Sequence, residues 1–565
     1  MIIQALVKRY EDTQEVPPGW QNREVSYALD LSRDGELLNI IPLETADGKK
    51  RIKLHKILPV EPSGRTSGIK GKGSFLCDNG GYFLAADNKR GAEKFEESKR
   101  LHLNVLKDTD TATARAIIAF FEAGAPSGWE QYLDRETAGN AKFIFLVDGV
   151  FADYDNQDLR LVWDKYYSGP KSEETEAIRC LITGKMDQPE ATHGSIKLYG
   201  GQPSGSSLIS ANADSFTSYG KTKSDRAADV GKYAAFAYVT ALNNLLKSST
   251  NRQYIGGDTL VYWAEDGEGK EEEVFSWMAQ PSENDAEKLD GIMEKAAKGV
   301  SIKLEHCKLS SRFYLLCLSP NAGRISVRFF YTDSFGTIIT NIVSHHQRLE
   351  ITKTGNDKYK YLPIWMILGE TTVKKQATDA SPLLGGQYLH SIITGSKYPM
   401  TLYQAMLNRV RAGEEINKTK AAVFKALLIQ NFNISEVTTV ALNPQTNNKP
   451  YVLGRLFSVL EQLQQRSSGS GLNATIRDKY FASACANPGS VFITLLKLSN
   501  HHAAKLDNAI FFEKLKTELL GKLDVENPFP AALNLEDQGR FILGYYHQTQ
   551  DYFTPKKNKE EKDND

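Results

Sequence analysis

VLGRLFSVLEQLQQ, residues 452–465, sets Leu453, Leu456, Phe457, Leu460 and Leu463 at the three- and four-residue steps that share one face of an α-helix. The segment predicts a helix packed against others, and its surroundings agree. From about residue 380 onward strand signals fade and helical segments follow in series. Upstream the pattern is mixed. VSYALDLSRDGELLNIIPL (25–43) reads as a hairpin turning at Asp34-Gly35. AEKFEESKRLHLNVLK (92–107) reads as a helix with Phe95, Leu101 and Leu106 on its apolar face, and KYAAFAYVTALNNLLK (232–247) as a second helix. AIRCLITG (177–184) reads as a strand, and FYLLCLS and RISVRFF as two more, joined through Pro320-Asn321-Ala322-Gly323.

The fold class expected is therefore α+β: a mixed strand and helix region over 1–355, a helical connecting region over 356–444 and a helical bundle over 445–550. The charged run at 551–565 is expected to be disordered.

A chain of 565 residues is too long for one core and should divide into two to four domains. Lys plus Arg equals Asp plus Glu at 69 each, so any affinity for a polyanion must come from local patches. Five cysteines, Cys77, Cys180, Cys307, Cys317 and Cys485, show no CxxC and no framework spacing, which fits reduced thiols in core positions. The start, MIIQALVKRYED, meets charge at Lys8, and no apolar run approaches the roughly 18 residues of a membrane span. A soluble, cytoplasmic protein is expected.

Signatures of catalysis are missing from the sequence. SGIKGKGSF (67–75) is the nearest approach to a phosphate loop, but no glycine is followed at the required spacing by Gly-Lys-Ser/Thr. HExxH, GxSxG and His-Asp do not occur. His501 and His502 are neighbours and so point about 100° apart on a helix, which suits a shared metal poorly; one packed and one solvated histidine is expected. Asp108 and Asp110 stand before a predicted helix start and read as caps before they read as metal ligands. Neither a cofactor nor a metal site is expected.

Three basic stretches remain. KKRIKLHKILPVEPSGRTSGIKGK (49–72) holds eight Lys or Arg against one Glu, and its second half is a glycine loop whose backbone N–H groups can approach a phosphate. In RISVRFF, alternation puts Arg324, Ser326 and Arg328 on one face and Ile325, Val327 and Phe329 on the other. NATIRDKYFASACANPGSVFITLLKLSNHHAAKL (473–506) holds Arg477, Lys479, Lys497, Lys505 and two histidines against Asp478 alone. Asn487-Pro488 suits a helix start, Val491, Phe492, Leu495, Leu496 and Leu498 form its apolar stripe, and Lys497, His501 and Lys505 recur every fourth residue as a basic ridge. An exposed strand, a half-buried sheet and a solvated helix face account for the same charges without a ligand.

The collinear series SGIK...FLCDN, CLITG...HGSIK, NADSFTSYG, IGGDTLVYWA, LSPNAGRISVRFF, YPMTLYQAMLNRVR, LGRLFSVLEQLQQ, the 473–506 stretch and EDQGRFILGYYHQ resembles the large subunit of the type I-C CRISPR surveillance complex, Cascade, from residue 1 to about residue 550. The resemblance implies a non-catalytic subunit that recognises the protospacer-adjacent motif in double-stranded DNA, supports R-loop formation, holds the displaced single strand and presents the site to a recruited helicase-nuclease. It implies partners as well: guide RNA, the backbone and guide-processing subunits, and a helical small subunit, which the C-terminal bundle itself resembles. Related genes often yield that subunit from an internal start, but no Met lies between Met406 and the end, so here a non-Met start near residue 450 would be needed.

Under the resemblance the motif-reading candidates are Ser67, Lys70 and Lys72 in the glycine loop and Asn79 beyond it, whose amide has the paired donor and acceptor of an adenine reader. The family often has Pro after the Ile-Lys pair, where this chain has Gly71, which puts the loop's rigidity in question. Asn212, Ser218 and Tyr219 are a second set, Arg324 and Arg328 a third, and Arg477, Lys479, Lys497, His501 and Lys505 a path for the displaced strand. A structural scaffold without direct motif reading and a metal-dependent nuclease with dispersed ligands are the rival readings.

Overall fold

Asp34-Gly35 turns the chain as read: Gly35 N–H donates to the Ser32 carbonyl at 3.0 Å and Ser32 N–H to that of Glu36 at 2.9 Å, closing the antiparallel hairpin Tyr27–Leu31 with Leu37–Pro42. The computed structural model describes residues 1–13, 16–47, 50–61, 68–87, 89–169, 176–210, 215, 228–266, 269–298, 304, 306–352, 357–469 and 474–553. It is an α+β fold of two compact units. The first comprises Met1–Lys197, Gly201–Asn244 and Ala322–Arg324, and the second Leu198–Gly200, Leu245–Asn321 and Ile325–Asp565.

In the first unit the hairpin extends into a mixed sheet. Lys142–Val147 pairs in parallel with Tyr27–Leu31, the short strand Cys77–Asn79 adds antiparallel to its other side, and Val150–Phe151 folds back on it. Trp20–Val25, Lys50–Pro59 and Glu44–Asp47 make a separate antiparallel sheet. The helices Gly91–Leu106 and Ala112–Glu122 bury Phe95, Phe120 and Phe121 with Phe83 and Phe145 in an aromatic core. AIRCLITG is a strand for two residues only, Ile178–Arg179. Gly184, at a φ of +72°, donates its N–H to the Cys180 carbonyl and returns the chain to pair at Met186–Asp187.

The second unit joins a four-stranded antiparallel sheet, Arg252–Ile255, Asp258–Ala264, Arg312–Asn321 and Arg324–Ser334, to a run of helices. One hydrophobic core continues from Ile255 through Phe335, Leu389 and Phe424 to Tyr546, so the section boundaries expected at 355 and 444 both fall inside it. The helix Lys449–Ser468, which contains the opening stretch, is its axis: Ile476–Ala486, Pro488–Ala503, Ile510–Gly521 and Leu535–Asp551 all pack against it. Cys77, Cys180, Cys317 and Cys485 are buried, Cys307 is half-buried, and all five are free thiols. Among the described residues no helix is long and apolar enough to cross a membrane.

The crossing of Lys449–Ser468 with Leu535–Asp551 depends on two glycines. A Cβ on Gly454 would overlap the Phe541 carbonyl oxygen, and one on Gly544 would overlap that of Tyr451. Backbone cannot yield as a side-chain tip does, so Gly454→Ala and Gly544→Ala should each cost about 3 kcal/mol or more. Thermal unfolding of the full chain should show both falling well below wild type, while Gly521→Ala, whose Cβ meets nothing within 4 Å, leaves the transition in place.

Candidate nucleic-acid interface

The glycine loop is held from behind. Asp78, fully buried on the strand Cys77–Asn79, accepts from Ser74 N–H at 2.8 Å and from Asn79 N–H at 2.7 Å. On the helix Gly91–Leu106, Glu97 accepts from Gly71 N–H at 2.6 Å and from the Arg100 guanidinium at 2.7 Å. His102, two residues beyond Arg100, takes Leu76 N–H on Nε2 at 3.0 Å and reaches the Ser98 carbonyl from Nδ1 at 2.8 Å, the pattern of a neutral ring protonated at Nδ1. Phe75 is sealed between His102 and Trp163, and Leu76 is held at a φ of +59°. Lys70 is left exposed at the tip and Lys72 half-buried beside it.

Two expectations for the loop are corrected. Its backbone does not form an open phosphate nest: Gly71 and Ser74 donate to carboxylates and Lys72 N–H to the Ile69 carbonyl, so Glu97 and Asp78 already occupy the places an anion would take. The rigidity that Gly71 put in question is supplied in another way. Gly71 adopts a φ of +70°, closed to proline, and its N–H, which proline lacks, is the group that Glu97 holds.

Asn79 is the N-cap of the short helix Gly80–Phe83, and its Oδ1 accepts from Gly81 N–H at 3.0 Å. A paired reading of adenine needs that oxygen, so in this conformation Asn79 offers a ligand only its Nδ2. Ser67, Asn212, Ser218 and Tyr219 lie outside the described residues.

On the sheet of the second unit, Arg328 is committed inward. Its Nε reaches the buried Asp258 at 3.1 Å and its Nη2 the Ser319 hydroxyl at 2.9 Å. Alternation along the strand is broken as well: Ile325 is buried but Val327 is 40% exposed, so the basic outer face read from RISVRFF is not formed. Arg324 is half-buried at the start of the strand.

The helical bundle sorts its charges in the same way. Thr475 and Asp478 form a reciprocal capping box at the start of Ile476–Ala486, which accounts for the one acidic residue of the stretch. Arg477 is half-buried, and although burial disfavours its charge, Tyr545 and Glu461 raise its pKa above the ordinary arginine value; it belongs to the bundle interior. Lys479, Lys497, His501 and Lys505 are exposed. Pro488 opens the helix Pro488–Ala503 as predicted, but Asn487 makes no side-chain cap and donates instead to the Ala531 carbonyl at 3.1 Å. His502 is half-buried against the Ser467 hydroxyl while His501 faces water.

Asp110 pairs with Arg115 at 2.5 Å, and the cap of Ala112–Glu122 is Thr111. Among the described residues no three His, Cys, Asp or Glu side chains come together as a metal site would require. Sequence reasoning missed Glu97 and His102. The signal was present: Phe95, Ser98, His102 and Val105 keep the helical step of the buried face, whereas Leu101, assigned to it, is only half-buried.

A hydrogen-bonded glycine loop with an exposed lysine, and separately a bundle bearing an exposed basic ridge, gather cations into small patches on a chain of zero formal net charge. The family model described as CRISPR-associated protein (Cas_Csd1) matches residues 5–553, nearly the whole chain. The chain therefore belongs to the Csd1 family, the large subunit of the type I-C CRISPR Cascade. No curated protein matches it.

Burial holds the His102 pKa down at about 4, with the Ser98 carbonyl opposing in part. Above pH of about 6.5 the ring is neutral folded or unfolded, and no penalty exists; below that the unfolded chain binds a proton that the folded one refuses until pH falls through about 4. Stability should therefore drop by up to about 3 kcal/mol across that window from this residue alone. His102→Gln should melt lower than wild type at pH 7.5 yet lose less on acidification; parallel profiles would show that His102 does not carry the effect.

Proposed function

We propose that this chain is the motif-reading subunit of its Cascade, with the loop Gly68–Gly73 set against the protospacer-adjacent motif of double-stranded DNA and Lys70 as its leading contact. The observation that carries the reading is the exposed Lys70 on a loop whose backbone is fixed by Glu97, Asp78 and His102. A rigid loop pays its ordering cost before it meets a ligand, which suits discrimination among short sequences. Lys479, Lys497, His501 and Lys505 serve the displaced single strand in the same reading, since a row of cations tracks a phosphate backbone without reading bases.

The subunit performs no bond chemistry. Guide RNA pairing supplies sequence specificity, and because the heteroduplex is about as stable as the DNA it replaces, a few protein contacts are enough to start R-loop formation. The backbone and guide-processing subunits, a helical small subunit and a recruited helicase-nuclease complete the assembly in the cytoplasm.

The test is the affinity of the complex, reconstituted with guide RNA and sister subunits, for matched duplexes with and without the flanking motif. Lys70→Glu,Lys72→Glu should abolish most of the motif preference. If these lysines meet phosphate, the slope of log affinity against log salt should fall by about 0.9 for each phosphate no longer neutralised. If they meet bases, about 1 to 3 kcal/mol of discrimination should go with the slope little changed. Assembly and motif preference both equal to wild type would reduce the subunit to a scaffold. The ridge has its own readout: Lys497→Glu,Lys505→Glu should weaken binding to all targets alike and leave motif choice intact.

A further inference from the structure

Phe75, Trp163 and Tyr166 form a column of nearly parallel rings that starts in the core behind the glycine loop and ends at solvent. Phe75 and Trp163 are 5.3 Å apart between centroids with 13° between planes, and Trp163 and Tyr166 are 5.5 Å apart with 29°. Exposure rises along the column from 0% at Phe75 through 6% at Trp163 to 44% at Tyr166. The middle ring is fixed, because the Trp163 indole N–H donates to the Gly19 carbonyl at 2.8 Å. Trp163 and Tyr166 both sit on the helix Gln157–Ser168, three residues apart.

The open end of this column adjoins the loop. Glu97 holds Gly71 N–H and the Arg100 guanidinium on one carboxylate, so Arg100, 62% exposed, stands beside the loop backbone. The helices Gly91–Leu106 and Gln157–Ser168, which carry Arg100 and Tyr166, pack against each other, and the phenol is close enough to act electrostatically on the guanidinium.

A rigid stack that ends in an accessible aromatic ring, with a guanidinium alongside, has the chemistry that takes a nucleobase on the ring and its phosphate on the cation. We infer that Tyr166 is a stacking platform for an unpaired DNA base and that Arg100 takes the adjoining phosphate. A base inside a duplex has both faces covered by its neighbours, so the ligand is a base at an opened junction or in a single strand. The platform is indifferent to base identity, since every base has a π-face. The inference rests on reading the neighbouring loop as a DNA contact, and it adds the place where strand separation would be captured.

The test uses the reconstituted complex and a matched duplex with a short mismatched bubble beside the motif. Tyr166→Ala and Tyr166→Leu should each bind it about ten-fold more weakly than wild type, and Tyr166→Phe, which keeps the ring, should bind like wild type. Arg100→Ala should weaken binding and flatten its salt dependence. Wild-type affinity in Tyr166→Ala overturns the inference. So does a Phe variant as weak as the Ala one, which would assign the effect to the hydroxyl. Failed subunit assembly in Tyr166→Ala, with normal DNA affinity in the assembled fraction, overturns it in favour of a protein contact. Lys70→Glu,Lys72→Glu measured alongside separates the two readings: weakening by the loop pair alone leaves the loop standing and removes the column, and weakening by Tyr166→Ala alone does the reverse. If neither weakens binding, both fail.

Discussion

Two helices of the second unit touch backbone to backbone at Gly454 and Gly544, and the helical half of the molecule is arranged around that contact. So close an approach brings side chains on both helices within hydrogen-bonding reach. Tyr451 meets His547 at 2.9 Å, Arg455 meets Gln548 at 3.0 Å, Ser458 meets Thr549 at 2.8 Å and Tyr545 donates to Glu461 at 2.6 Å. Buried polar groups left unpaired are expensive, so these four pairs tolerate one register of the crossing and penalise others. The same helix, Lys449–Ser468, supports Ile476–Ala486 and Pro488–Ala503, which carry the exposed lysines. The helices that carry the basic ridge thus pack on a helix whose own place is set by a backbone contact between two glycines.

The opening stretch shows how far a sequence pattern reaches. All five apolar residues read on one face, Leu453, Leu456, Phe457, Leu460 and Leu463, are buried. The polar residues between them are buried too, with Arg455 at 1%, Ser458 at 1% and Glu461 at 5% exposure, because neighbours cover every side of the helix over 451–461. Periodicity finds the strongest apolar stripe; it has no means of telling that partners far along the chain will cover the remainder with matching polar groups.

The basic residues divide by the same logic. Lys70, Lys479, Lys497, His501 and Lys505 are exposed, whereas Arg328 is claimed by Asp258, seventy positions away in the chain, and Arg477 turns toward Glu461 and Tyr545. A count of charges within a window records cations and cannot see which of them folding neutralises. Arginine is the residue more often withdrawn in this way, since its planar fork satisfies a buried carboxylate with less ordering cost than a lysine requires. Of the basic residues singled out in the sequence, Lys70, Lys479 and the ridge are what remains at the surface.

Gly71 draws these strands together. A proline at its position would stiffen the loop through its ring and leave the chemistry of the neighbouring helix indifferent to it. With glycine, rigidity comes from one hydrogen bond, and its acceptor, Glu97, is also the partner of Arg100. The loop's order and the Arg100 charge are thereby tied to a single buried carboxylate. Replacing Glu97 by alanine removes the anchor of Gly71 and frees an exposed guanidinium at the same stroke, so it should loosen the loop while raising nonspecific attraction to any polyanion. A carboxylate at the back of a basic loop limits nonspecific attraction and holds the backbone in shape, which is what a net-neutral protein needs if a few cations are to act at defined positions.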